Sequence, residues 1–150
     1  YRFELHFAIA AILSLVHDVF IVVAIFSILQ LEVDSTFIAA VLTILGYSIN
    51  DKIVVFDRIR ENLSTVKKED LAPLVNTSII QSLTRSLNTS ISTLILLVAL
   101  FFLGGETTKL FVLAMIIGIV AGTYSSLCIA SPVWYEIKMR SKAKRIEALR

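Results

Sequence analysis

The sequence predicts an all-α fold, a polytopic membrane helix bundle with four transmembrane helices. Three observations predict it. Hydrophobic residues make up 57% of the 150 and charged residues only 17%, against about 45–50% and about 25% in a soluble domain. Mean hydropathy is +0.84, more apolar surface than a soluble chain of this length could bury. The apolar residues also fall in runs close to the ~20 that one crossing needs. Five glycines and two prolines exclude collagen-like and linker sequence, and the apolar content excludes disorder.

Each helix follows from its run. Phe7 to Leu31 carries a single acid, Asp18, near its middle. Ser35 to Phe56 is interrupted only by Asp51 and Lys52, while Ser86–Gly105 and Leu110–Tyr135 carry no charge. Helices are therefore expected over 7–30, 36–62, 80–103 and 109–135, with membrane spans at about 7–30, 36–56, 84–103 and 109–135. The connections Glu32 to Ser35 and Gly104 to Thr108 force antiparallel hairpins. In the stretch Lys67–Pro73, Asp70 is a candidate cap and Pro73 suits a first turn. A short amphipathic helix there should lead into the third span.

Lys and Arg placement sets orientation. Arg2, Arg58, Arg60, Lys67, Lys68 and the run Lys138, Arg140, Lys142, Lys144, Arg145 and Arg150 lie on one side; Glu32, Asp34, Glu106 and Lys109 lie on the other. Both termini and the 57–79 loop are expected in the cytoplasm, with residues 1–135 forming the bundle and 136–150 a basic cytoplasmic tail. No signal-peptide pattern follows Tyr1, and the start reads as a cut through a longer protein. No internal repeat is visible.

Ionisable groups inside lipid are costly and need partners. Asp51 closes the segment Gly46-Tyr-Ser-Ile-Asn-Asp51, with Tyr47 one turn before it and Asn50 adjacent. Thirteen of the eighteen residues from Asn76 to Thr93 are polar, and Gln81, Arg85, Asn88, Thr89 and Ser92 share one helical face. Lipid does not tolerate such a face, so it is expected to meet protein or a water-filled path. Asp51 and Arg85 each stand roughly 9 Å inside their spans, a depth that allows pairing. Such a pair suits proton handling better than stability. Lys52 could neutralise Asp51 or snorkel. Asp18 is expected as a buried interhelix hydrogen-bonding group, with His17 turned about 100° away from it.

The fourth span repeats small residues every four positions, at Ala114, Gly118, Gly122, Ser126 and Ala130, which permits close helix packing. Cys128 reads as a small core or lipid-facing residue. There is no nucleophile elbow, metal-ligand spacing or phosphate loop. No enzyme, metal or cofactor is expected.

The run Gly46-Tyr-Ser-Ile-Asn-Asp-Lys-Ile-Val-Val-Phe-Asp-Arg-Ile-Arg-Glu-Asn62 closely resembles the SecF family of bacterial protein-export membrane proteins, or the SecF half of a fused SecDF. Phe3-Glu4, His17-Asp18, Ser82–Thr89, Gly104-Gly105 and Gly122-Thr-Tyr-Ser-Ser126 match as well. Lys52 departs from the small polar residue common at its position. The resemblance implies an incomplete RND-superfamily transmembrane half in the bacterial cell membrane. It implies SecD, the SecYEG channel, SecA and preproteins as partners, with the bilayer around them and no nucleic acid. It also implies coupling to the proton-motive force, with no cofactor, protons as the coupling ion and Asp51 and Arg85 as the relay. Two alternatives stand beside it: a docking scaffold for SecD and SecYEG, and a fragment of a small-molecule or lipid exporter.

Overall fold

A computed structural model describes residues 2–65 and 71–147. The order is α1 (Arg2–Ile28), α2 (Ser35–Thr65), α3 (Leu71–Leu103), α4 (Glu106–Ser125), a π-helical turn (Ser126–Ala130) and α5 (Ser131–Glu147). Four helical segments are long and apolar enough to cross a membrane: Leu5–Ile28, Ser35–Ser64, Leu71–Leu103 and Glu106–Ser141. The last joins α4, the π turn and α5 into one rod.

The helices run further than hydropathy marks them. Rather than a short amphipathic helix followed by a span, α3 is continuous from Leu71, with Pro73 in its first turn where a missing N–H costs nothing. The expected cap Asp70 lies outside the described residues. The fourth helix continues past 135 because the basic segment that follows is also helix-compatible.

Local chemistry explains the tight connections. At the end of α1, Leu31 N–H donates to the Phe26 carbonyl at 3.0 Å while Gln30 adopts a φ of 51°. This is a Schellman-type closure with glutamine in the left-handed position that glycine usually takes. Asp34 caps α2. Its Oδ1 accepts from the Thr36 and Phe37 backbone N–H groups at 3.0 Å each and from Thr36 Oγ1 at 2.6 Å. These bonds, the Thr36 hydroxyl first and the Phe37 N–H next, hold the Asp34 carboxyl below its ordinary range. The cap's contribution is thus present at neutral pH and is lost as pH falls through that lowered value. A side chain at Gly104 would run into the Leu100 carbonyl, so this α3–α4 turn requires glycine.

α4 is the central post. It packs against α1, α2 and α3, and the core window of its span is 56% buried, against 17% for α3. The small-residue repeat makes this possible. Ala114, Gly118, Gly122, Ser126 and Ala130 are all buried. A Cβ at Gly118 would overlap Ile44, and one at Gly122 would stand 2.9 Å from Ser48 Oγ. The repeat is therefore the track on which α2 lies. Pro132 supplies no N–H, and its ring would crowd the carbonyl four residues back. The wider π turn stands directly before it and includes that residue, Cys128, which is exposed.

Three apolar clusters surround the middle of the bundle. One gathers Ala10, Val55, Phe56, Ile59 and Trp134, with Phe7 stacked on Trp134 at 4.8 Å. A second joins Val22, Phe26, Phe37, Ala40, Ile44 and Ala114. The third joins Leu97, Val112 and Ile119. Between them lies a layer of buried serines and charged groups.

The close approach at Gly118 gives a direct test. Ile44 is β-branched and stiff, so Gly118→Ala should cost about 1–3 kcal/mol through overpacking. Equilibrium unfolding of the full-length protein in detergent measures it, and adding Ile44→Val should recover part of the loss.

Candidate functional site

The polar layer is organised by two consecutive residues of α2. Asp51 and Lys52 are about 100° apart on the helix, so they do not face each other. Each is received by a different set of neighbours.

Asp51 turns toward α3 and α4 and is 8% exposed. Its Oδ1 accepts a hydrogen bond from Ser86 Oγ at 2.7 Å, and its Oδ2 accepts one from Ser126 Oγ. Its hydrogen-bond donors are thus two neutral hydroxyls.

Lys52 turns toward α1 and α4 and is fully buried. Its ammonium donates to Asp18 Oδ2 at 2.7 Å, to Ser48 Oγ and to Ser125 Oγ at 3.2 Å. Ser48 Oγ in turn donates to Asp18 Oδ2 at 2.6 Å, and Ser125 Oγ donates to the Gly122 carbonyl at 3.1 Å. Three ammonium protons meet three oxygens, and each hydroxyl has an acceptor of its own. Asp18, also fully buried, has His17 Nδ1 3.4 Å from its other oxygen. The layer therefore carries one ion pair that is satisfied throughout, as burial demands.

A third group continues the layer along α3 and α4. Tyr47 donates to Ser90 Oγ at 3.2 Å, Ser90 lies 2.6 Å from Thr123 Oγ1, and Thr123 donates to the Ile119 carbonyl at 2.8 Å. Because Thr123 gives its proton to that carbonyl, Ser90 is the donor to Thr123. At one end of the α2–α3 pair, Gln81 Oε1 accepts from Arg58 Nε at 2.8 Å and from Asn62 Nδ2 at 3.0 Å, and Asn62 also donates to Ser78 Oγ at 2.7 Å.

These contacts correct the geometry expected from the sequence. No ion pair joins Asp51 to Arg85 among the described residues. Arg85 is exposed, and the side chain that reaches Asp51 is its neighbour Ser86. The serines of α3 turned into this bundle are Ser78, Ser82, Ser86 and Ser90, all buried; Arg85, Asn88, Thr89 and Ser92 are exposed, as is Gln81, which nonetheless reaches Arg58 and Asn62 of α2. Thr89 bonds only back to the Arg85 carbonyl, at 3.0 Å. Asn50 is exposed as well. Asp18 is buried and hydrogen-bonded between helices as expected, but His17 is within reach of it. Lys52 bonds to Asp18 and not to Asp51, and does not snorkel. Ser126, expected only as a packing residue, also donates to Asp51. The four-residue serine spacing on α3 was the signal that could have found Ser86 and Ser90.

The fold and this layer define a multi-pass α-helical membrane protein with an intramembrane charge network. The family described as protein export membrane protein SecD/SecF, C-terminal, matches residues 1–140. The protein translocase subunit SecF of Alicyclobacillus acidocaldarius is 53% identical over 146 residues, covering 95% of this chain and 47% of that protein. SecDF of Bacillus subtilis is 49% identical over 146 residues, covering 95% of this chain and 20% of its own length. A crystal structure of SecDF in a super-membrane-facing form superposes with a TM-score of 0.91 at 48% identity, covering 98% of this chain and 20% of that one. The chain belongs to the SecD/SecF family of protein-export membrane proteins. It spans about half the length of its SecF relative and a fifth of the fused SecDF.

Breaking the buried ion pair from one side strands the other charge. Lys52→Met or Asp18→Asn alone should each cost about 3–5 kcal/mol. The double variant should lie closer to wild type than the sum of the singles, because no uncompensated charge remains. A double-mutant unfolding cycle on the full-length protein measures the difference.

Proposed function

We propose that this chain forms the membrane core of a SecF-type subunit, or of the SecF part of a fused SecDF, and that Asp51 is its proton-responsive group. It would act without a catalytic site, in the bacterial cell membrane. SecD would be its immediate partner, alongside SecYEG, SecA and preproteins, with both termini in the cytoplasm. Family membership supports the role in protein export. The observation that carries the proton assignment is the coordination of Asp51 by hydroxyls alone.

An ionised carboxylate accepts from both Ser86 and Ser126. A protonated one carries an O–H that must itself find an acceptor. Proton uptake therefore turns at least one of these hydroxyls from donor to acceptor. Ser126 has the Thr123 carbonyl at 2.9 Å to receive its own proton, and replacing a charge-assisted hydrogen bond by a neutral one weakens the hold of α2 on α3 or α4. Arg85 directly precedes Ser86 in the chain, so a turn of α3 that frees Ser86 also moves Arg85. On this view the Asp51–Arg85 relay acts through α3, with no direct ion pair in the state observed. The exposed polar face at Arg85, Asn88, Thr89 and Ser92 needs a polar neighbour in the membrane, and SecD would supply it; Gln81 already has Arg58 and Asn62 of α2. One proton crossing the field supplies about 2.3 kcal/mol per 100 mV, roughly a fifty-fold bias between two states. The bias acts only if those states differ in proton affinity.

Asp51→Asn preserves shape and removes the titration. In the assembled full-length complex it should leave subunit abundance near wild type and abolish the stimulation of export by the proton-motive force. Undiminished proton-dependent export overturns the assignment. The exposed polar face of α3 favours a second reading, a docking scaffold in which the layer only clamps the assembly. In that case Asp51→Asn would lower complex abundance instead of turnover.

A further inference from the structure

The Asp18–Lys52 cluster is buried, joined by a 2.7 Å contact and unused by the proposed chemistry of Asp51. It joins three helices: Asp18 from α1, Ser48 and Lys52 from α2, and Ser125 from α4. The Lys52 ammonium sits among three side-chain oxygens, at 2.7 Å from Asp18 Oδ2, 3.2 Å from Ser125 Oγ and in contact with Ser48 Oγ. Gly122 leaves the room. A Cβ there would stand 2.9 Å from Ser48 Oγ and 3.8 Å from Asp18 Oδ2. One carboxylate and two hydroxyls form a cage with a single negative charge. That charge suits a monovalent cation, and among the described residues no group of three His, Cys, Asp or Glu is placed to hold a metal ion.

We propose that this cage is an intramembrane monovalent-cation site permanently filled by the protein's own tethered ammonium, so that Lys52 keeps free cations, protons included, off Asp18. An ionised Asp18 with no cation beside it would be prohibitively costly in the bundle. Without Lys52 the carboxylate must take up either a proton or an alkali-metal ion. The charged and titratable surroundings are few. α1 contributes His17, α2 contributes Lys52 itself with Asp51 turned to the other side, and α4 contributes only the uncharged Ser125 and Gly122. His17 is partly exposed, with its Nδ1 3.4 Å from the second Asp18 oxygen, and is the one titratable neighbour that could deliver a proton. The inference stands apart from the proposed role of Asp51.

Dicyclohexylcarbodiimide, which modifies protonated carboxyls within membranes, tests it in the full-length complex, with peptide mass spectrometry as the readout. In the wild-type protein Asp18 should remain unmodified from pH 6 to 8.5, with or without sodium. In Lys52→Ser, Asp18 should become modified several-fold above wild type at low pH. Sodium chloride should suppress that modification where N-methylglucamine chloride does not; no suppression by either salt, or equal suppression by both, would mean that the freed site takes protons only and would overturn the alkali-ion arm. Modification of wild-type Asp18 overturns the whole proposal without any variant. So does an unreactive Asp18 in both Lys52→Ser and the shape-preserving Lys52→Met when both assemble normally. Asp51 serves as the internal comparison: its failure to react would count against the proton assignment at Asp51 and leave the Asp18 result intact.

Discussion

A carboxylate inside a membrane bundle has to be solvated by the protein itself, and α2 meets that requirement twice at adjacent residues. Asp51 is solvated by hydroxyls from α3 and α4. Asp18 is solvated by the ammonium of Lys52. Because Asp51 and Lys52 share one turn of helix, the rotation of α2 is fixed from both sides. α4 mirrors the arrangement with Ser125 and Ser126, which serve the ion pair and Asp51 respectively. The glycines at 118 and 122 are a consequence of the same demand. Serine hydroxyls are short, so the two helix axes must approach closely before such groups can reach.

The two carboxylates are chemically unlike. A carboxylate held by a neighbouring ammonium keeps its charge as long as the ammonium stays. A carboxylate held by hydroxyls can exchange its charge for a proton if the hydroxyls reorient, and hydroxyl rotation is inexpensive. On the proposed role of Asp51, the bundle sets a buried Asp–Lys pair beside a carboxylate that can change its charge. Apolar clusters on either side of the layer exclude water and make each hydrogen bond matter more. The helix bearing Ser86, α3, is also the least enclosed of the four within this chain. On that proposal, a change at Asp51 bears on the least enclosed helix of this bundle and on the exposed polar face of that helix.

The spans were legible because hydropathy reports the membrane directly. Their ends were not: hydrogen-bonded helix continues through Asn62 to Thr65 and begins again at Leu71, where the residues are polar but still helix-compatible. The small-residue repeat was legible because its four-residue period has one physical use, and every member is buried. Asp51 was legible as a charge out of place. Its partners were not, because α3 carries two polar faces of similar strength in the same segment. Arg85 drew attention by its charge, yet Ser86 makes the contact. Which face turns inward depends on how α3 packs on α2 and α4, and no local pattern decides that. Lys52 was obscured by its own sequence neighbour. Adjacent residues of opposite charge suggest a pair, while helical geometry sends them to different helices.

Lys52 is committed to Asp18 and leaves Asp51 to the serines. The most direct measurement is the dipolar coupling between 15Nζ of Lys52 and the carboxylate 13Cγ of each aspartate, by solid-state NMR on the assembled protein in lipid. The expected result is a strong coupling to Asp18, as the 2.7 Å separation between Nζ and Oδ2 requires, and a much weaker one to Asp51. A stronger coupling to Asp51, or none to either, would contradict it.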